Sequence, residues 1–156
     1  MTLSPLLINE ILGRNYMLDT SGLKLHLYKI YKIMRAGMLT ANQRVIPGYE
    51  EVQAKNEKYI LKNGAYIIRY KEYIRVPENA IALTIPRSSL LRMGATIHTA
   101  VWDPGYEGQG IGLLVVFNEK GIILSKGVHI AQLIFFKVIG ESLKYNGIYK
   151  GEKDTT

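Results

Sequence analysis

The chain has 156 residues, of which 47% are hydrophobic and 21% charged, so it can bury a real core and is not a disordered chain. It contains no cysteine, which excludes disulfides, thiolate zinc sites, cysteine nucleophiles and the zinc-dependent nucleobase deaminases. The net charge of +7 favours polyanionic partners but does not choose between nucleotides and nucleic acid.

The chain shows no internal repeat and no linker, so we expect one domain over residues 1–150 and a flexible tail at residues 151–156. No apolar run approaches the roughly 20 residues that span a bilayer, and the first residues lack a secretion signal. These observations predict a cytoplasmic protein without a membrane partner.

In chain order, the first elements are a helix and a strand. Ser4 followed by Pro5 is typical of a helix start, and Gly13 is typical of a helix end. Apolar residues recur at helical spacing between them. In residues 23–28 leucine then alternates with lysine, histidine and tyrosine, which predicts a half-buried strand.

Short strands dominate the rest of the chain. The Asn-Gly pair at residues 63–64, between residues 59–61 and 65–74, predicts a β-hairpin. Residues 88–93 are long enough only for a short helix, which Gly94 would end. Further strands are expected at residues 80–85, 96–102, 111–117, 122–124 and 128–138. This pattern predicts an all-β fold, a barrel or jelly-roll-like sandwich with a short N-terminal helix and one short internal helix.

The first candidate site is the start of the internal helix. Arg87, Ser88 and Ser89 place a guanidinium and two hydroxyls where free backbone N–H groups and the helix dipole favour an anion. Such groups suit phosphate oxygens. The alternative is that Ser88 only caps the helix and Arg87 is a solvated charge.

Two further candidate positions follow. Residues 103–106 read Asp-Pro-Gly-Tyr, which ordinary turn chemistry can explain. A carboxylate at a strand end could also accept a proton from an attacking water, and the tyrosine could pack against a sugar. Gln132 lies inside an apolar strand, where its amide needs partners, most simply the neighbouring backbone. The three histidines show no metal-ligand spacing.

Taken in order, these segments resemble the dUTPase and dCTP deaminase superfamily. Residues 87–94 are similar to its phosphate-binding motif and residues 98–108 to its base-and-sugar hairpin. Residues 131–133 match a third motif, and residues 145–151 resemble the C-terminal lid of deaminase-type members. Each motif alone is weak, but the four occur in the correct order within residues 80–151. The resemblance implies a dUTPase-like distorted jelly roll, a homotrimer with active sites between subunits, and Mg²⁺ bound mainly through a substrate triphosphate.

The resemblance also bears on the chemistry. Deaminating members carry a glutamate on the strand after the Asp-Pro-Gly turn, at a position that falls on Leu113 or Leu114 here. Hydrolases use tyrosine where deaminases more often have Phe or Trp, and this chain has Tyr106. The likeness is therefore greatest to archaeal dUTPases of the deaminase-like type, which implies hydrolysis of dUTP to dUMP and pyrophosphate, with neither nucleic acid nor membrane as a partner.

By the same resemblance, Asp103 would be the catalytic base that activates water for attack on the α-phosphorus. Phosphate contacts are expected from Arg87, Ser88, Ser89, Arg92, Gln132, Tyr145 and Lys150. Contacts to the sugar and base are expected from Tyr106, Thr99, Ala100, Val101 and Gly105.

One motif departs from the family. Its first motif is Gly-x-Asp-Leu, and the nearest stretch here, residues 22–25, has Lys24 in place of the aspartate that holds a metal-bound water. Asp19 could substitute from a shifted position, Lys24 could touch phosphate, or the metal could bind differently, so no metal ligand is assigned. Three alternatives stay open: a dCTP deaminase or bifunctional dCTP deaminase/dUTPase, a non-catalytic nucleotide sensor, and a small basic β-barrel that binds RNA.

Overall fold

Strands make up most of the regular structure in the computed structural model, which describes residues 1–13 and 16–153. The two helices of this part of the chain are α1 (Pro5–Leu12) and α2 (Ser88–Arg92). The strands are β1 (Leu23–Ile33), β2 (Met38–Leu39), β3 (Arg44–Val45), β4 (Tyr49–Glu51), β5 (Lys58–Leu61), β6 (Gly64–Tyr70), β7 (Ile74–Arg75), β8 (Ala80–Pro86), β9 (Ala95–His98), β10 (Glu107–Gly108), β11 (Ile111–Val116), β12 (Ile122–Ser125) and β13 (His129–Lys137). The predicted all-β fold with two short helices is confirmed.

Local signals set the ends of α1. The Ser4 hydroxyl accepts the backbone N–H of Leu7 at 3.2 Å, which satisfies one of the free donors of the first turn. Gly13 ends the helix in the left-handed region, at φ 57°, where a side chain would be strained. Ile8 is buried and fixes the helix to the core. Both predicted ends are therefore confirmed.

The main sheet nearly closes into a barrel. Its strand order is β8-β13-β1-β6-β11-β9, and β4 also pairs with β1. Beyond β9, Trp102 exchanges two backbone hydrogen bonds with Ala82 of β8, at 2.9 and 3.0 Å, so the two edges of the sheet approach each other. Leu23, Leu25 and Leu27 point into the core that this curved sheet encloses, as their alternation predicts.

The predicted hairpin at residues 63–64 is wrong. β5 pairs with β12, whereas β6 pairs with β1 and β11, so the Asn-Gly turn joins two different sheets. Tyr59 and Leu61 of β5 are buried in the core beside β12. Burial of these side chains decides the pairing of β5, and the local preference of Asn-Gly for a hairpin is overridden.

The C-terminal part of the described chain lies against the Asp-Pro-Gly turn. The backbone N–H of Tyr145 donates to Pro104 at 2.8 Å, and that of Gly151 donates to Glu107 at 2.7 Å. Residues 151–153, at the start of the predicted tail, therefore include hydrogen-bonded backbone, and residues 154–156 lie outside the described residues. In the described chain, neither helix has the length and apolar character that crossing a bilayer requires.

Candidate active site

A cavity of about 690 Å³ opens between β6, β11 and the loop after β9. Ile67, Ile111 and Leu113 form its apolar wall on the sheet. The other residues that line it are Ile46, Tyr49, His98, Thr99, Ala100, Val101, Trp102, Asp103, Tyr106, Gly110, Gly112, Tyr145, Tyr149 and Glu152. The volume is in the range of small-molecule and cofactor sites.

Two glycines on the cavity wall make room for aromatic rings. A Cβ added at Gly110 would lie 2.1 Å from the Trp102 ring, and one at Gly112 would lie 2.6 Å from the Tyr70 hydroxyl. The Trp102 indole N–H donates to the Thr84 hydroxyl at 2.9 Å, inside the barrel. Gly110 and this hydrogen bond together fix the position of Trp102.

Trp102 in turn supports Tyr106. The two rings meet edge to face, with centroids 5.5 Å apart, and the other ring neighbour of Tyr106 is Tyr145, at 5.6 Å. Burial, with the charge of Glu152 as a second cause, raises the pKa of Tyr106 to about 12. The Tyr106 hydroxyl is therefore protonated at neutral pH.

Asp103 lies on the cavity wall at the end of the bridge between Trp102 and β8. Its backbone carbonyl accepts the N–H of Tyr106 at 3.0 Å, which closes the predicted turn. Gly105 has φ 75°, a conformation that favours glycine, and its N–H donates to Val76 at 3.2 Å. The turn is thus held by backbone bonds at a point where Asp103 lines the cavity.

Glu152 is the second carboxylate on the cavity wall, and Arg69 pairs with it. An Nη2 to Oε1 distance of 2.9 Å joins the two side chains. Burial would lower the pKa of Arg69, but the hydrogen bond and charge of Glu152 outweigh it and raise that pKa. Among the described lining residues there is no lysine or arginine, so the cavity offers a polyanion no cationic side chain of its own.

Tyr145 is the one predicted phosphate contact that lines the cavity. Arg87 follows β8, and its backbone N–H donates to Ile130 of β13 at 3.1 Å. Ser88, Ser89, Arg92 and Lys150 are exposed. The structure therefore brings Asp103 together with Tyr106 and residues 99–101 at the cavity. Gly105 belongs to the same turn but does not line the cavity, and most predicted phosphate contacts lie elsewhere on the chain.

Gln132 lies on β13 beside Lys24 of β1, away from the cavity. Its neighbours in sequence, Ala131 and Leu133, are buried, so the Gln132 side chain points to the opposite face of the strand. The Gln132 Oε1 atom is buried and has no hydrogen-bond partner among the described residues. The prediction that this amide bonds to neighbouring backbone does not hold for its oxygen.

Asp19, the other candidate for the missing aspartate of the first motif, approaches His129 of β13. Its Oδ2 atom lies 3.4 Å from the Nε2 atom of His129. Burial, with the charge of Arg87 as a second cause, lowers the pKa of His129. The His26 ring lies 5.7 Å from the His129 ring, tilted by 44°, and His26 pairs with Glu72. The structure thus links Asp19 to the side of the barrel that carries Arg87.

The two candidate positions for a deaminase glutamate differ in their surroundings. Leu113 lines the cavity, whereas Leu114 is completely buried in the core. The strand therefore presents an aliphatic side chain to the cavity at the one position where a carboxylate could reach it.

Several cavity residues were not predicted from the sequence. Ile46 and Tyr49 come from the segment before and at the start of β4, and Ile67 comes from β6. Glu152 lies in the segment predicted as a tail. None of these residues belongs to a recognisable motif, and only the folding of distant segments onto the same face brings them to the cavity.

The fold and the cavity define a small β-barrel protein with a nucleotide-sized pocket beside an Asp-Pro-Gly-Tyr turn. The family model described as dCTP deaminase-like matches residues 11–138, and the chain belongs to this family. The predicted family resemblance is confirmed.

Curated relatives carry a more specific name. The deoxyuridine 5′-triphosphate nucleotidohydrolase of Methanocaldococcus jannaschii is 42% identical over 134 residues, which cover 83% of this chain and 85% of the relative. A probable deoxyuridine 5′-triphosphate nucleotidohydrolase of Aeropyrum pernix is 37% identical over 139 residues, covering 88% of this chain and 87% of the relative.

A solved structure shares the fold. The 2′-deoxycytidine 5′-triphosphate deaminase of Agrobacterium tumefaciens matches with a TM-score of 0.63 and 20% identity over 86% of this chain and 47% of that one. The chain therefore spans about half the length of that deaminase. The predicted dUTPase-like fold is confirmed.

Proposed function

We propose that this chain hydrolyses dUTP to dUMP and pyrophosphate. The observation that carries the proposal is that Asp103 and Tyr106 line the same cavity as residues 99–101, the segment predicted to contact the base. The names of relatives up to 42% identical to this chain support the same activity.

In the proposed reaction the Asp103 carboxylate orients a water molecule and accepts its proton. The water oxygen bonds to the α-phosphorus, and the bond from that phosphorus to the leaving pyrophosphate breaks. Reactions of this type depend mostly on positioning and charge stabilisation. The backbone bonds of the turn hold Asp103 at the cavity, so the turn provides that positioning.

Tyr106 and residues 99–101 would select the nucleoside. The Tyr106 ring, fixed by Trp102, would lie against the deoxyribose where a 2′-hydroxyl would clash, so that UTP is rejected. Backbone groups of residues 99–101, together with the turn at Gly105, would bind the uracil edge. The aliphatic Leu113 leaves the cavity wall without a carboxylate at the position relevant to deamination.

The phosphate contacts would come from a second copy of the chain. The described cavity residues include no lysine or arginine, although the substrate is a polyanion. The predicted phosphate contacts on another part of the chain are Arg87, Ser88, Ser89, Arg92 and Gln132. A homotrimer with sites between subunits would bring these groups to the cavity, and a neighbouring copy could supply a partner for the Gln132 oxygen.

Magnesium would be bound mainly by the triphosphate. In the described part of the chain, no three His, Asp or Glu side chains are grouped so that they could hold a metal ion. Mg²⁺ commonly binds one or two carboxylates together with substrate phosphates. Asp103 is assigned to the attacking water, so the ion would be delivered with the nucleotide and held by the phosphate oxygens. When bound, the ion would neutralise charge on the phosphates.

The test offers dUTP, dCTP, UTP and dTTP separately with Mg²⁺ and identifies both the base and the phosphate products. We expect dUMP and pyrophosphate from dUTP only. Ammonia released from dCTP at enzymatic rates would favour the deaminase or bifunctional alternative. Tight binding of dUTP without release of pyrophosphate would favour the nucleotide sensor.

A cytoplasmic location stays a prediction.

A further inference from the structure

One wall of the cavity is formed by the C-terminal strap, which we define as residues 142–153. Tyr145, Tyr149 and Glu152 of the strap line the cavity. Near its C-terminal end the strap packs closely on the backbone at Gly108. A Cβ added at Gly108 would lie only 3.1 Å from the Glu152 carbonyl oxygen. The shape of the cavity therefore depends on where the strap lies.

Arg69 is attached to the strap from the outer face of the main sheet, because its sequence neighbours Ile68 and Tyr70 point into the core. It lies on β6, the strand between β1 and β11, and its side chain is 13% exposed. Its Nη2 atom lies 2.9 Å from the Glu152 carboxylate, and its Nη1 atom donates to the Gln109 carbonyl at 3.0 Å. The Gln109 backbone N–H donates in turn to the Glu152 carbonyl at 2.8 Å. Arg69, Gln109 and Glu152 thus form a network in which each residue is hydrogen-bonded to the other two.

Burial makes this attachment strong. A buried guanidinium that loses its carboxylate leaves an uncompensated charge, which is far more costly than the loss of an exposed ion pair. The Glu152 side chain is 26% exposed, so solvent replaces its partner only in part. Replacing one partner by substitution while the strap stays docked would therefore leave the other charge poorly compensated, which favours lifting of the strap.

We infer that Arg69 is a positioning residue that, through Glu152, holds the C-terminal strap in place as a wall of the nucleotide cavity. Arg69 does not line the cavity itself and acts on Tyr145 and Tyr149 only through the strap. The inference rests on the proposed function for its effect on dUTP kinetics, but not for its effect on the strap.

The chain provides a matched control pair. Arg75 and Glu107 also have an Nη2 to Oε1 distance of 2.9 Å, and they join the neighbouring strands β7 and β10. The Arg75 side chain is 55% exposed, however, so the pair is screened by water. Replacing the side chains of this pair should leave the strap unchanged.

The first experiment measures hydrogen–deuterium exchange by mass spectrometry in peptides that cover the strap, residues 105–110, and β13 as a core reference. Glu152→Gln should speed exchange at the strap and at Gln109 by about tenfold or more, the effect of losing a hydrogen bond to a charged group. Arg69→Gln should do the same, and the double variant should add little, because both changes break one contact. Arg75→Gln and Glu107→Gln should leave these peptides at the wild-type rate.

Glu152→Gln keeps the inference testable if Arg69→Gln fails to fold, because it changes a side chain outside the core. Exchange of the strap within twofold of wild type in Glu152→Gln would overturn the inference, as would equal loosening by the Arg75 and Glu107 variants.

The second experiment measures dUTP kinetics in the same variants. Loss of the Arg69–Glu152 contact should raise KM about tenfold and change kcat much less, because Asp103 is not substituted and its turn keeps the backbone hydrogen bonds to Val76 and within the turn. Arg69→Lys, which keeps the charge but cannot make the two-pronged contact, should fall between Arg69→Gln and wild type. Unchanged KM in Glu152→Gln would count against the inference. If the wild-type protein hydrolyses no dUTP, the proposed function fails while the exchange data still decide the role of Arg69.

Discussion

Replacing Gly110 by alanine should destabilise the protein through a single steric clash. The added Cβ would lie 2.1, 2.7 and 2.8 Å from three atoms of the Trp102 ring, well inside the roughly 3.5–4 Å of ordinary carbon contact. The ring cannot move freely, because it is 5% exposed and its N–H is bonded to Thr84. Overpacking of this kind typically costs about 1–3 kcal/mol.

For a chain of this length that cost corresponds to a fall in melting temperature of roughly 2–12 °C. Gly48→Ala is the matched control: a Cβ there meets nothing within 4 Å, so its melting temperature should be unchanged or slightly higher. Trp102→Phe should recover part of the loss in the Gly110→Ala background, because the smaller ring leaves room for the Cβ. A Gly110→Ala protein that melts like wild type would show that Trp102 is not fixed as described.

Three further predictions concern the site itself. Asp103→Asn should reduce dUTP turnover by about 10²–10⁴ and leave nucleotide affinity nearly intact, and an unchanged kcat would remove Asp103 as the base. Arg87→Ala should weaken nucleotide binding. If sites form between subunits as proposed, refolding the Arg87→Ala and Asp103→Asn chains together in equal amounts should restore about a quarter of the wild-type dUTP turnover, because each variant supplies the half-site that the other lacks. No recovery of turnover would argue for a site within one chain. Because the pKa of Tyr106 is raised to about 12, the folded state should lose stability as the pH rises from about 10, where an unfolded tyrosine ionises, to about 12. Denaturant unfolding at these pH values should show a smaller loss in Tyr106→Phe.

The parts of the fold that were predicted correctly depend on neighbours in sequence. The ends of α1 follow from Ser4 and Gly13, whose capping bonds span three or four residues. The inward face of β1 follows from strict alternation. The hairpin at residues 63–64 failed because its strands pair with partners more than 30 residues away, and no local signal records that choice.

The same distinction explains which cavity residues were found. Asp103 and Tyr106 belong to one short turn, so a motif could identify both. Arg69 and Glu152 are 83 residues apart and meet only because β6 is central and the strap returns to it. Neither has a neighbouring residue that would distinguish it from a solvated surface charge.

The predicted site is divided between two parts of the chain, and the charge distribution gives a physical reason. Asp103 and Glu152 give the described cavity wall two carboxylates, while Arg87 lies beyond β8, where its charge helps lower the pKa of His129. A triphosphate placed in this cavity alone would meet the Asp103 carboxylate and a Glu152 already paired with Arg69, with no lysine or arginine among the described lining residues, which opposes binding. Productive binding therefore requires that cations reach the cavity from outside it. In the proposed homotrimer a second copy of the chain would bring the groups at the start of α2 to this cavity.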